Sequence, residues 1–89
     1  ADNEEAYRLI QAMDEYPEAL VDAMEKNEPY LLTRQILEIA KQFNKFYNTT
    51  PILRAESSAR AAYLALVKAC RTLLQDGLAV LGIEAPEEM

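Results

Sequence analysis

The chain has 89 residues, 51% of them hydrophobic, with two glycines, four prolines, one cysteine and no histidine. This is enough for one domain with its own core and no disulfides, and the lack of imidazole and of a second thiol excludes a Ser-His pair, a histidine metal ligand and a structural zinc site. The net charge of −6 is unevenly spread: residues 1–28 carry nine acids and two bases, residues 29–75 two acids and seven bases, and residues 76–89 four acids. A basic block (Arg34, Lys41, Lys45, Arg54, Arg60, Lys68, Arg71) therefore lies between acidic flanks, and that distribution bears on a polyanionic partner more than the sum does.

Hydrophobic periodicity and proline punctuation predict an all-α fold, a helical bundle of about four main helices in a single domain over residues 1–89. The first helix covers about residues 3–15, with Ala6, Leu9, Ile10 and Met13 inward, and stops before Tyr16-Pro17 because a residue preceding proline is pushed out of helical geometry. Pro17 opens a second helix to about residue 26, with Leu20, Val21 and Met24 inward. Pro29 opens a third, to about residue 47, whose stripe is Leu32, Ile36, Ile39, Ala40, Phe43 and Tyr47. Arg34, Glu38, Lys41, Lys45 and Asn48 fall on its opposite face. Asn48-Thr49-Thr50-Pro51 signals a turn and an ordered loop to about residue 56.

Ser57 or Ser58 then caps a fourth helix that reaches Leu81 and is expected to run through the middle of the packing. Its seam is Ala59, Ala62, Tyr63, Leu66, Cys70, Leu73, Gly77 and Leu81. Gly77 inside it implies a close helix crossing, since glycine costs about 1 kcal/mol there against alanine. Gly82 fits the left-handed position after a helix end, with Ile83 folding back, and residues 84–89 lack a helical pattern.

No apolar run approaches the roughly 20 residues that span a bilayer, and the start of the chain has no export-leader pattern, so no membrane partner is expected; the single cysteine fits a reducing, cytoplasmic setting, and a monomer is expected. The chain opens on Ala1-Asp2-Asn3-Glu4 and reads as a fragment or a processed product. It has no Gly-rich phosphate loop, and nothing distinguishes a carboxylate pair from the solvated acids, so no catalytic residue is assigned.

The stretch Phe43-Asn44-Lys45-Phe46-Tyr47-Asn48 holds three aromatics broken by two asparagines and a lysine, next to a proline turn. Aromatic faces stack on unpaired bases and carboxamides read base edges. Spacing alone equally suits Phe43 and Tyr47 in a core with the asparagines capping the helix. Arg54, Arg60, Lys68 and Arg71 either meet phosphates or form a solvated face. Cys70 lies on the core seam as packing.

Together these residues resemble a known family. Residues 43–53 resemble the FNxFYN and PVL segment of arginyl-tRNA synthetases, and Ala62-Tyr63-Leu64-Ala65-Leu66-Val67 resembles their ARLALV segment. Residues 73–83, followed by Pro86-Glu87-Glu88-Met89, resemble the ending written LxxGLxLLGI and PERM. The similarity runs from about residue 3 to residue 89. It implies the C-terminal helical anticodon-binding domain of the type named for a DALR tetrapeptide. Lys68-Ala69-Cys70-Arg71 stands at that tetrapeptide, keeping the alanine and the arginine, and Glu88 stands where arginine is usual. These departures move the expected phosphate contacts to Arg60 and Arg71.

The resemblance further implies a parent enzyme that joins arginine to its tRNA, with ATP and Mg2+ used in a catalytic domain absent here and no cofactor in this part. The implied partners are the anticodon stem-loop of tRNA(Arg) and the parent's catalytic body. The RNA-binding residues the resemblance implies are Asn44, Tyr47, Asn48, Arg54 and Met89, and Arg34, Arg60 and Arg71 of the basic block join them as RNA-binding candidates. Tyr47 would stack, with Phe46 taking that role if Tyr47 were buried, and the asparagines and terminal main chain would read base edges. Two other readings remain at this point: the equivalent domain of another tRNA synthetase, and a helical protein-interaction module whose acidic first half meets a basic partner.

Overall fold

Proline and asparagine at the helix junctions set the path of the chain. A computed structural model describes residues 3–84. Its elements are α1 (Glu4–Asp14), α2 (Tyr16–Glu25), α3 (Pro29–Thr49), a 3₁₀ turn (Ile52–Arg54) and α4 (Ser57–Glu84). The four-helix expectation holds, and among the described residues every regular element is helical. Only Glu15 separates α1 from α2, and its backbone stays right-handed (φ −85°, ψ −6°), so the two follow almost without a break. Pro17 sits in the first turn of α2, where its missing N–H is not needed.

α2 ends on Asn27, whose φ of 55° lies in the left-handed region. The Glu28 N–H then reaches back to the Ala23 carbonyl at 2.9 Å and the Asn27 N–H to the Met24 carbonyl at 3.3 Å. This pair of bonds is a Schellman closure, with asparagine where glycine is more usual. It turns the chain directly into Pro29.

α3, not α4, is the central helix: it packs against α1, α2 and α4, whereas α1 and α4 touch only sparingly. Its buried stripe is Leu32, Ile36, Ile39, Gln42 and Phe46. Leu9, Leu32, Ile39, Phe46 and Cys70 are fully enclosed. Gln35 Nε2 donates to the Ala12 carbonyl at 2.8 Å, tying α3 to the end of α1.

The expected close crossing exists at Gly77. A Cβ there would stand 2.5 Å from Ile36 Cδ1 and 3.3 Å from Tyr16 Cε1, so only glycine lets α4 approach α3 this closely. Beside it, Tyr16 Oη donates to Asp76 Oδ2 at 2.7 Å. Burial, then the hydrogen bond and the charge of Asp76, push the Tyr16 phenol up to about 12.

Several inward assignments are corrected. Ile10, Val21 and Met24 are exposed, because α1 and α2 are peripheral and each presses only a narrow face on α3. Ala62 is exposed as well. Tyr47 is 57% exposed and Phe46 is fully buried, so the aromatic stripe is rotated by one residue, about 100°. Phe43 is half-buried and packs on the core margin. Gly82 does not end the last helix: α4 continues to Glu84, and no described glycine has positive φ.

Candidate nucleic-acid interface

Two contacts fix how α3 and α4 lie together. Ile36 meets Gly77 at one end, and Phe46 meets Tyr63 edge-on at the other, with ring centroids 5.7 Å apart and planes at 68°. The helices are therefore antiparallel. Stepping from the Ile36–Gly77 contact at about 100° per residue puts Asn44, Tyr47 and Asn48 of α3 on the same side of the seam as Arg60, Leu64 and Arg71 of α4.

At the Phe46–Tyr63 end this side opens into a groove of about 510 Å³ lined by Tyr47, Asn48, Thr49, Thr50, Pro51, Ile52, Arg54 and Leu64. Tyr47 forms one wall. Its ring stacks on Phe43 at 5.7 Å and 22°, which holds the exposed face in a fixed orientation. Leu64, 48% exposed, stands opposite on α4. The floor is the loop after α3. Pro51 (φ −79°, ψ 76°) makes an inverse γ-turn closed by the Ile52 N–H on the Thr50 carbonyl at 2.8 Å. Ile52 anchors this loop in the core, and exposed Arg54 ends it.

The sequence-predicted residues divide by position. Tyr47, Asn48 and Arg54 meet in the groove. Asn44 is exposed one helical turn before Asn48. Arg60, half-buried, precedes Leu64 by one turn, and exposed Lys68 follows it by one. Arg71 is exposed about 10 Å along α4 from Leu64.

Arg34 is not brought to this site. It lies about 20 Å along α3 from Tyr47, packs 5.3 Å over the Tyr30 ring with Nη1 donating to Tyr30 Oη at 3.0 Å, and shares a depression with Glu15, Glu18 and Asp22. Those acids explain its position as well as any ligand would. Met89 lies outside the described residues. The described end of α4, Glu84, stands about 30 Å along the helix from Leu64, at the opposite end of the seam from the groove.

Sequence reasoning did not assign Leu64 to this wall. A leucine that breaks the α4 seam, four residues after Arg60 and four before Lys68, was the available signal. Cys70 is fully enclosed, and burial pushes its thiol up, so it is unreactive packing as expected. Among the described residues no group of three histidine, cysteine or acidic side chains is placed to hold a metal ion, and no helix is long and apolar enough to cross a membrane.

The fold and the groove define a small helical domain that offers an exposed aromatic, a carboxamide and cations on one side of a helix pair. Comparison with known proteins gives that class its family. The DALR anticodon binding domain family matches residues 1–89, and this chain belongs to it. Among similar proteins, an arginine–tRNA ligase of Alkaliphilus metalliredigens is 43% identical over 81 residues, covering 91% of this chain and 14% of that protein. Its counterpart in Halothermothrix orenii is 41% identical over 87 residues, covering 98% and 15%. That of an Exiguobacterium species is 37% identical over 89 residues, covering 100% and 16%. The chain thus spans about one-seventh of the length of these relatives. No solved structure matches it.

Proposed function

We propose that this chain is the anticodon-binding portion of an arginine–tRNA ligase and that the groove beside Tyr47 receives the anticodon loop of tRNA(Arg). The observation that carries this reading is the exposed Tyr47 ring, backed by Phe43 and flanked by Asn48 and Arg54 in one groove. Packing does not require a large ring to stand 57% exposed at the end of a central helix. Stacking of an unpaired base on such a ring is worth about 1–3 kcal/mol, and the cations of Arg54, Arg60 and Arg71 meet the backbone without reading sequence.

Base choice has a physical source in the same place. The last four carbonyls of an α-helix have no intrahelical partner, and α3 ends at Thr49, within the groove wall. An acceptor-rich helix end favours a base that presents an amino group over one that presents a keto oxygen. All arginine codons have a central G, so the matching anticodons have a central C, which carries the amino group at C4, where U carries oxygen. A freely rotating carboxamide at Asn48 accepts either base by flipping, whereas helix carbonyls do not turn. The negative end of the helix also repels phosphate, which gives Arg54 a second role as a local counter-charge.

The remainder of the ligase would carry the arginine, ATP and Mg2+ chemistry. The described residues contain neither a Gly-rich loop nor a metal-binding cluster, and no reaction step is assigned to them.

The test is an NMR titration of the labelled chain with an arginine anticodon stem-loop at low salt. Shifts concentrated at Asn44, Tyr47, Asn48 and Arg54 are expected. Shifts spread over the basic residues with none at Tyr47 would reduce the interaction to electrostatic attraction, and shifts confined to the acidic α1–α2 side would contradict the proposal.

A further inference from the structure

The loop that floors the groove is tied to a side chain 47 residues earlier in the sequence. Asn3 uses both atoms of its carboxamide. Oδ1 accepts from the Ala6 main-chain N–H at 2.9 Å, capping α1, and Nδ2 donates to Thr50 Oγ1 at 2.8 Å, 47 residues away. These two bonds fix the amide's orientation, since flipping it would set Nδ2 against the Ala6 N–H.

Thr50 is buried, and it is the residue at which α3 gives way to extended backbone (φ −112°, ψ 116°). Its carbonyl closes the γ-turn over Pro51. Thr49, Thr50 and Pro51 border the groove on one side and, on the other, a second depression of about 310 Å³ lined also by Asn3 and Tyr63. The 3₁₀ turn is closed by its own main-chain bonds, Arg54 N–H to the Pro51 carbonyl and Ala55 N–H to the Ile52 carbonyl, and rests on α4 and on Ile52 inside the core. On the α3 side, with hollow space to either hand, the Thr50 hydroxyl is the side-chain tie, and the approach of Pro51 to Tyr47 depends on what that hydroxyl is bonded to.

We propose that Asn3 and Thr50 are positioning residues for the groove: their hydrogen bond, made by the cap of α1, sets the loop main chain and Arg54 against Tyr47 and so preforms the RNA site. This rests on the anticodon reading of the groove. Asn3 does not line the groove itself, so its effect on RNA passes through Thr50. Preforming a loop strengthens binding by removing the ordering that binding would otherwise require.

Three variants separate this role from plain stabilisation. Asn3→Ser keeps an oxygen that caps α1 but is too short to reach Thr50. Thr50→Val keeps the branched shape and removes the acceptor, and Thr50→Ser restores it. Hydrogen exchange of the Ile52, Arg54 and Ala55 amides is expected to quicken about tenfold in Asn3→Ser and Thr50→Val, with α1 and α4 amides unchanged. Affinity for an arginine anticodon stem-loop is expected to fall about five- to tenfold in both, and Thr50→Ser should behave as the original chain on both measures.

Unchanged loop exchange in the two variants would overturn the proposal. So would exchange that quickens throughout the helices, which would make the bond merely a fold-wide support, and so would a loosened loop that binds RNA as tightly as before. If the original chain itself ignores the central C, the anticodon reading fails, and the exchange data still report separately whether the bond holds the loop.

Discussion

The two ends of the α3–α4 seam are built on different terms. At the Gly77 end, α4 lies against Ile36 so closely that no Cβ fits, and Tyr16 closes the junction with a hydrogen bond to Asp76. At the other end Phe46 and Tyr63 meet inside, but Tyr47 and Leu64 turn outward around a groove with Asn48 and Arg54. Packing accounts for the large side chains at the first end. At the second it accounts for Phe46 and leaves the adjacent ring exposed, and that surplus is where a ligand has something to gain. Charge follows part of the same division: Glu15, Glu18 and Asp22 share a depression with Arg34 near the first end, while Arg54 and Arg60 lie at the second and Arg71 between the two.

Neighbouring substitutions at the groove end should test this contrast most strongly. Phe46→Ala removes a fully enclosed ring and should cost about 3–5 kcal/mol in denaturant unfolding. Tyr47→Ala, one residue on, should change stability by no more than about 0.5 kcal/mol and weaken RNA binding about tenfold through lost stacking. Equal stability losses from the two would mean that Tyr47 is core, and the comparison would collapse.

At the tight end, Tyr16→Phe should cost about 1–2 kcal/mol, since its lost hydrogen bond has a charged acceptor. It should also change the alkaline limb. A phenol held at about 12 in the fold against 10.0 outside it stays protonated longer when folded. The stability it contributes is therefore complete below about pH 10 and fades as pH rises to about 12, by on the order of 2 kcal/mol. Urea midpoints measured across that range should flatten in Tyr16→Phe.

Gly77→Ala gains about 1 kcal/mol of helix propensity but forces Ile36 and Tyr16 apart, and overpacking costs about 1–3 kcal/mol. A net loss of roughly 1 kcal/mol is expected in thermal or denaturant unfolding. Adding Ile36→Val, which removes the Cδ1 atom 2.5 Å from the added carbon, should recover part of it. A purely additive double variant would show that the crossing is looser than described. The smallest effect belongs to Arg54→Ala: stability unchanged, and the slope of log affinity against log salt reduced by about 0.7, the value for one phosphate contact on a single strand.

Much of the fold was legible because its junctions are marked by residues with few conformational choices. Pro29 opens α3 where expected, and Gly77 signalled a crossing that exists; Pro17 marks the start of α2 but stands one residue inside it, because Tyr16 is helical despite preceding a proline. Which aromatic is buried was not legible. After Leu32, Ile36, Ile39 and Phe43, both Phe46 (three on) and Tyr47 (four on) continue the same stripe, and only the position of Tyr63 across the seam selects Phe46. Gly82 misled because a glycine permits a left-handed helix end without requiring one. Placing α4 at the centre followed from its length, whereas centrality belongs to α3, which has apolar side chains facing three partners.

The same limit applies to the site. Tyr47, Asn48 and Arg54 are close in sequence and close in space. Arg34 belongs to the same basic block by composition, but the rise of α3 carries it to the other end, beside acids supplied by α2. Charge counted along a chain does not register that distance.

The most direct test of the central claim is the ratio of affinities of this chain for an arginine anticodon stem-loop with a central C and for the same loop with a central U, measured at one fixed salt concentration. A preference for C of about tenfold, with affinity for both loops lowered about tenfold in Tyr47→Ala while stability is retained, is the result the groove requires. Equal affinity of the original chain for both loops, or affinity unaffected by Tyr47→Ala, would contradict it.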